Sequence, residues 1–400
     1  MAEPAAPTAR VRTCAIDPPV RVPQQLQIAR WLGRIGDRSY LIARHDQRLV
    51  LVSLTGGTLT SVVLGLDSLR ADAVTGTHLW LAGTREHRSV LLDVDLSTPG
   101  LPAREPELLV TTPLSTIDAI AVGSERQLIA ERGTKIALQL YDRAAHKLGP
   151  VAQINTTDLQ MPELRCAGDR CFAVGVEGDG ADRRIYVERF APDGSAEHEV
   201  LADDHVATLQ LASLGARTIV LWTAFDHQGV FMRALDPSGK PLTRRTGIAG
   251  IARPPVAFEL LPAAPPRIAL KDASGAWTIA TLDADAHRLD EVRALPLPSQ
   301  TSSFTGAVQS DGILGAGFSS QVDYQGGTHA WTARATAVFL PTTRDAEAPV
   351  EVLPTTSGEG RGGMAAFPLV EPGHAAVLVL PQGDESEDGG ELVMVRKPCT

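Results

Sequence analysis

Aromatic residues are scarce in this chain of 400 residues: nine Phe, five Trp and four Tyr. Too few remain, once some such as Trp80 and Trp222 are placed inside apolar runs, to build a sugar-binding surface of exposed aromatic platforms. Positive charge is also in deficit. Thirty-seven Lys and Arg against forty-seven Asp and Glu leave a net charge of -10, the wrong sign for gripping a nucleic-acid backbone. No stretch approaches 18 consecutive apolar residues, so no transmembrane segment is expected. Helical 3.6-residue periodicity over a dozen residues is missing throughout, which excludes helical solenoids. The N-terminus, MAEPAAPT, has neither a basic n-region nor an apolar h-region, so a signal peptide is absent from this chain. Residues 1–10 are expected to form a disordered tail, followed by a single domain over 11–400.

What is present is punctuation. Thirty-six Gly and 28 Pro divide a composition that is 44% hydrophobic and 21% charged, a globular balance broken too often for long helices. Short apolar-alternating runs recur between the breaks, which is the pattern of half-buried strands. One turn can be aligned along the chain: LTGGTL from Leu54, LSTPGL from Leu96, YDRAAHKL from Tyr141, FAPDGSAE from Phe190, LDPSGKPL from Leu235 and LDADAHRL from Leu282. The steps are 42, 45, 49, 45 and 47 residues. A period in the forties with four strands per period predicts a β-propeller of four-stranded blades.

Units begin near Leu26, Leu69, Ile117, Met161, Val206, Val256, Phe304 and Met364. The chain is therefore read as all-β with eight blades, seven being the alternative if an end unit is irregular. The last unit holds only three good strands. An N-terminal strand over 11–16 is expected to complete it, closing the ring and removing its exposed strand edges.

Four cysteines allow three pairings. Cys166 and Cys171 flank Ala-Gly-Asp-Arg, a turn-like tetrapeptide that could bring their Cβ atoms within bonding distance. Two buried free thiols are the alternative. Cys14 and Cys399, near opposite ends, would meet if the ring closes. Two disulfides imply an oxidising compartment, hence an extracytoplasmic location in periplasm or at the cell surface.

The forty-odd period, the LDPSGKPL type of turn and the hairpin LRCAGDRCFAVG together resemble bacterial extracytoplasmic β-propeller repeat proteins. The resemblance implies a fold and an exported context, and no activity. WD dipeptides of the WD40 type are absent, and five Trp in eight units are too few for the docking motifs of quinoprotein dehydrogenases.

Motifs that would carry chemistry are mostly missing. There is no G-x-S-x-G elbow and no phosphate-binding G-x-x-x-x-G-K-[ST] loop. His198-Glu199 opens like a zinc-protease motif, but Ala202 stands where the second histidine would be. Residues 271–277 only partly match the Asp-box of sialidases. The acidic loops at 383–390 and 177–182 could offer oxygen ligands to Ca²⁺, yet lack alternating acidic spacing and read as solvated turns. No cofactor is expected otherwise.

Propeller topology supplies a better pointer. Loops joining the second and third strands of each blade emerge on one face, where they gather His45, Asp46, Arg85, Glu86, His87, Arg132, Asp226, His227, Asp323 and Tyr324. This is the candidate binding face. The longest insertion between strands is expected at 319–328, with Tyr324 as a contact anchor. The resulting expectation is a monomeric, non-catalytic module binding a protein partner at the cell envelope, with no nucleic-acid ligand. The alternative is a hydrolase or lyase with a polar or metal-assisted site at the central channel.

Overall fold

The computed structural model describes residues 15–17, 20–21, 26–97, 107–108, 117–133, 135–145, 147–154, 162–214, 216–225, 229–249, 251, 255, 257–261, 263, 265–283, 285, 287–325, 328–342, 350–352, 356–359, 363–382 and 392–397. These residues form antiparallel strands and one short 3-10 turn, Gly180–Asp182. No helix among them is long and apolar enough to cross a membrane.

The strands sort into eight sheets, each a meander in which sequential strands pair. Their first strands are Gln27–Ile35, Ser68–Thr75, Ile117–Val122, Glu163–Ala167, Val206–Leu214, Ala257–Leu261, Ser303–Val308 and Gly363–Glu371. Each begins within two residues of the start read from the repeat. Antiparallel meanders repeated in this way are the blades of a β-propeller.

The last meander has three strands of its own, and the N-terminus supplies the rest. Ala15 pairs with Lys397 and Ile16 with Arg396, while Val20–Arg21 pairs further along the same strand. The expected N-terminal strand is thus seen over Ala15–Ile16, while 11–14 lie outside the described residues. Cys14 and Cys399 lie outside the described residues, as does the tail 1–10.

Two compact units can be distinguished by contact: residues 1–41, 52–60 and 295–400, and residues 42–51 and 61–294. In the second unit the apolar cores lie between consecutive sheets. Ala71, Trp80 and Leu91 of the second sheet pack on Ile120, Ile129 and Tyr141 of the third. Leu128, Leu138 and Ile154 of the third meet Cys171, Tyr186 and Phe190 of the fourth. Phe172, Val187 and Leu201 of the fourth then meet Val220 and Trp222 of the fifth. In the first unit, Ala316, Ala335 and Ala337 of the seventh sheet face Ala366, Val377 and Val379 of the eighth, and Ile16 packs on that core. In the third, fourth and fifth sheets alternation along the strands thus becomes two buried faces. Trp80 and Trp222 are core residues, as their apolar surroundings suggested.

Turn chemistry sets the strand breaks. Asp193, Asp236 and Asp272 each accept hydrogen bonds from both the amide and the hydroxyl of the Ser two residues on. Such Asx turns close locally and need no tertiary contact. The partial Asp-box is therefore a turn: its Asp272 is engaged within it, and Trp277 is core. The fourth strand of the fifth sheet is very short. Residues 241–248 contribute only Thr246–Gly247 and an isolated bridge from Pro241 to Leu235, because Pro241 has no N–H to give to a ladder.

Candidate functional sites

The loops between second and third strands fall where the repeat placed them. His45 ends strand Arg38–His45, and the two-residue turn that follows holds Asp46 and Gln47 at φ 48° and 64°. The equivalent turn in the second sheet holds Glu86 and His87 at φ 50° and 63°. Both are the left-handed turns that match the twist of a hairpin, and they normally carry Gly or Asn. Side chains other than Gly in this region are strained, a feature that concentrates at functional positions. Asp67 fixes the second turn by accepting the Glu86 N–H at 2.6 Å.

Little is brought together among these side chains. His45 Nε2 lies 3.8 Å from the exposed Asp46 carboxylate. Arg132 turns to Asp118 on the first strand of its own sheet, at 3.6 Å. Arg85 and Arg88 flank the Glu86–His87 turn as a strand pair. Asp226 and His227 lie outside the described residues, as does the acidic loop 383–390. Among the described residues no group of three or more His, Cys, Asp or Glu could hold a metal ion.

Asp323 and Tyr324 sit differently from the expectation. Residues 319–325 are not an inter-strand loop: they belong to strand Gly312–Gln325, which pairs with Thr328–Pro341, each 14 residues long. Pairing is continuous from Gly312↔Pro341 to Gln325↔Thr328, with Asp323 opposite Ala330 and Tyr324 opposite His329. The first strand of this sheet pairs only as far as Phe318. Beyond that point a two-stranded ribbon continues, and strand Thr356–Glu359 joins it along Ala330–Ala333. The absence of Pro from 312 to 325 is the signal that the ladder could extend.

A second cluster was not visible in the sequence. In the fourth sheet Glu188 and His198 are directly opposite each other on neighbouring strands, and Glu177 is opposite Arg184 one strand further in. His198 Nδ1 lies 2.8 Å from Glu188 Oε2, and its Nε2 lies 3.3 Å from Glu177 Oε1. Arg184 Nε reaches the same Glu177 oxygen at 2.9 Å. Both carboxylates are buried, and the Tyr186 ring stacks on the imidazole at 5.7 Å. Burial, with Glu188 and Glu177 nearby, pushes the Tyr186 hydroxyl well above its ordinary pKa. Gly175 lies opposite Tyr186, and a Cβ there would come within 2.8 Å of its hydroxyl. The cluster borders a cleft of about 480 Å³ against Pro150–Ile154 of the third sheet. His198 is thus a strand residue, and the partial zinc-protease motif lies on no helix. Glu177, at the start of the acidic loop 177–182, pairs with Arg184 and His198.

The hairpin LRCAGDRCFAVG is closed by a disulfide between Cys166 and Cys171, Cα atoms 4.1 Å apart. Its turn docks on the preceding sheet. The Ser124 amide donates to Gly168 O at 3.2 Å, and the Glu125 amide donates to Asp169 Oδ1 at 2.9 Å. Gly123 is required at this contact, since a Cβ there would stand 2.0 Å from the Gly168 carbonyl oxygen.

Glu259 stands apart, on the first strand of the sixth sheet. Gln210 of the fifth sheet straddles it in sequence, donating to Phe258 O and accepting from Leu260 N. Burial pushes the Glu259 carboxyl up to about 7.

No protein-family model matches the chain, and no curated protein sequence matches it. Among solved structures it is similar to the WD40 domain of SCAP from fission yeast, at 10% identity and TM-score 0.48, covering 96% of this chain and 98% of that one. It is also similar to YCF48 from Cyanidioschyzon merolae, at 12% identity and TM-score 0.40, with 82% and 94% covered. A prolyl endopeptidase matches at 13% identity and TM-score 0.37, with 81% of this chain and 54% of that one covered. At such identities the likeness concerns the fold alone.

Proposed function

We propose that this protein is a non-catalytic, exported propeller that binds a protein partner through the ribbon formed by residues 319–333. The carrying observation is the extension itself. Fourteen-residue strands continue past the end of their sheet's first strand, as Phe318 is the last residue to pair with it. Chain ordered beyond what its own sheet uses is chain available for contact, and ordered elements bind at lower entropic cost than floppy loops. The strained turns Asp46–Gln47 and Glu86–His87, the latter flanked by Arg85 and Arg88, are proposed as further contact points.

Two further observations support the reading. In the cleft of the fourth sheet both imidazole nitrogens of His198 already face buried carboxylates, which leaves neither for a substrate. The disulfide of the fourth sheet suits an oxidising compartment. We read the eight sheets as eight blades of one monomeric domain; a crystal structure showing seven would overturn that count.

A photo-crosslinking residue at Tyr324 tests the binding role, with the same residue at Val151, exposed on the third sheet, as control. In envelope extract the Tyr324 variant should give one discrete protein adduct that the Val151 variant does not give. Absence of an adduct at Tyr324, or equal adducts at both positions, would reject the ribbon as the binding element.

A further inference from the structure

We propose that the partner presents an extended segment that adds as a β-strand to one edge of the ribbon, at the backbone groups of Ser320, Val322 and Tyr324. This deepens the protein-binding reading above and rests on it.

The assignment follows from strand parity. In an antiparallel strand the N–H and C=O of one residue point to the same side, and successive residues alternate. Phe318 O accepts the Ser302 amide at 3.0 Å, and Gly312 O accepts the Gln309 amide at 2.7 Å. Even-numbered residues of strand Gly312–Gln325 therefore direct their backbone toward the sheet's first strand. Odd-numbered residues direct theirs toward Thr328–Pro341. The first strand ends its pairing at Ser303↔Phe318, and the chain before it turns away where the Thr301 amide closes on Pro298 O. Among the described residues no strand lies alongside Ser320, Val322 and Tyr324. Three donors and three acceptors are thus lined up in register on one side.

The two edges of the ribbon are treated differently by the chain. Strand Thr356–Glu359 covers the edge of Thr328–Pro341 along Ala330–Ala333. Among the described residues no strand covers the opposite edge, and its one charged residue between Ser319 and Gln325 is Asp323. Between Ser319 and Gln325 there is no Pro and no Lys, and the register shows no bulge. Edges of this kind are templates for another strand. The sequence also constrains the occupant. Residues 319–333 include Asp323 and no Lys or Arg, and the covering strand ends in Glu359. With a net charge of -10 over the whole chain, a neutral or basic segment is favoured over an acidic one.

Parity also supplies a clean test. A proline at 322 removes an N–H from the open edge and spares every N–H that the ribbon uses internally; edge strands accept proline on that side. Full-length protein would be panned against a displayed library of random linear dodecapeptides. Hydrogen exchange would then be read at single amides with a selected peptide bound. The expected result is slower exchange at Ser320, Val322 and Tyr324, with little change at Gln321 and Asp323. Val322→Pro should weaken binding at least about tenfold at an unchanged unfolding temperature. Ser320→Pro serves as the second variant should the first misfold, and has the same expected effect. The inference is overturned if no peptide is selected, if protection falls elsewhere, or if both proline variants bind as tightly as the parent. In each of those cases a discrete adduct at Tyr324 would still support partner binding, by a mode other than strand addition.

Discussion

Replacing Glu259 with glutamine should stabilise the protein in mildly alkaline solution and have much less effect in acid. The folded-state pKa of this carboxyl is about 7, against an ordinary value of 4.5. Folding therefore favours its protonated form. A carboxyl shifted upward leaves stability intact below the unfolded pKa, and stability is lost as pH rises toward the folded pKa, where the loss levels off. With those two values the loss between about pH 5 and pH 8 amounts to about 2.5 kcal/mol. Glutamine carries no charge to desolvate, so the variant should lack this loss. The assay is urea denaturation of parent and Glu259→Gln at both pH values, with the difference in unfolding free energy as the readout. Taking the difference cancels every other titrating group to first order. The parent-minus-variant gap should change by about 2.5 kcal/mol between the two conditions, the parent faring worse at the higher pH. A gap that stays constant with pH would show that Glu259 ionises in the folded state as it does in the unfolded chain, and would refute the reasoning.

Gly123→Ala should cost about 2–3 kcal/mol in chemical denaturation, because its Cβ would meet a backbone oxygen at 2.0 Å that only a shift between neighbouring sheets could relieve. In a double-mutant cycle, His198→Ala and Glu188→Gln should couple by about 1 kcal/mol; the imidazole is partly exposed, which holds the value below that of a fully buried pair. Additive effects would remove the cluster as a stabilising unit. Cys166→Ser with Cys171→Ser should lower stability by about 2 kcal/mol, the value for a short closed loop. Intact mass with and without reductant should show the Cys166–Cys171 bond directly, and a second bond if Cys14 and Cys399 also pair; four free thiols in native material would remove the argument for export.

The local part of this architecture was legible from residue order alone. Apolar alternation marks strands, and the Asp-x-Ser turns at 193, 236 and 272 hydrogen-bond within themselves, so the four-strand period appears without any tertiary information. The positions of His45, Glu86 and Arg132 at the ends of second strands follow from the same count. Completion of the last sheet by an N-terminal strand could also be inferred, because one unit was short by a strand and an unpaired edge is unfavourable. Register was not legible, and register decides the rest. Glu188 and His198 are ten residues apart in sequence and become partners only when their strands align, and Glu177 joins them from one strand further in. Residues 319–328 read as a loop because polar, Gly-flanked sequence is common to loops and to exposed ribbons; pairing with 328–334 makes 319–325 part of a ladder. Which backbone groups are left facing outward depends on which strand stops first, and that was decided by tertiary structure, where Ser303 meets Phe318 and the ribbon continues alone.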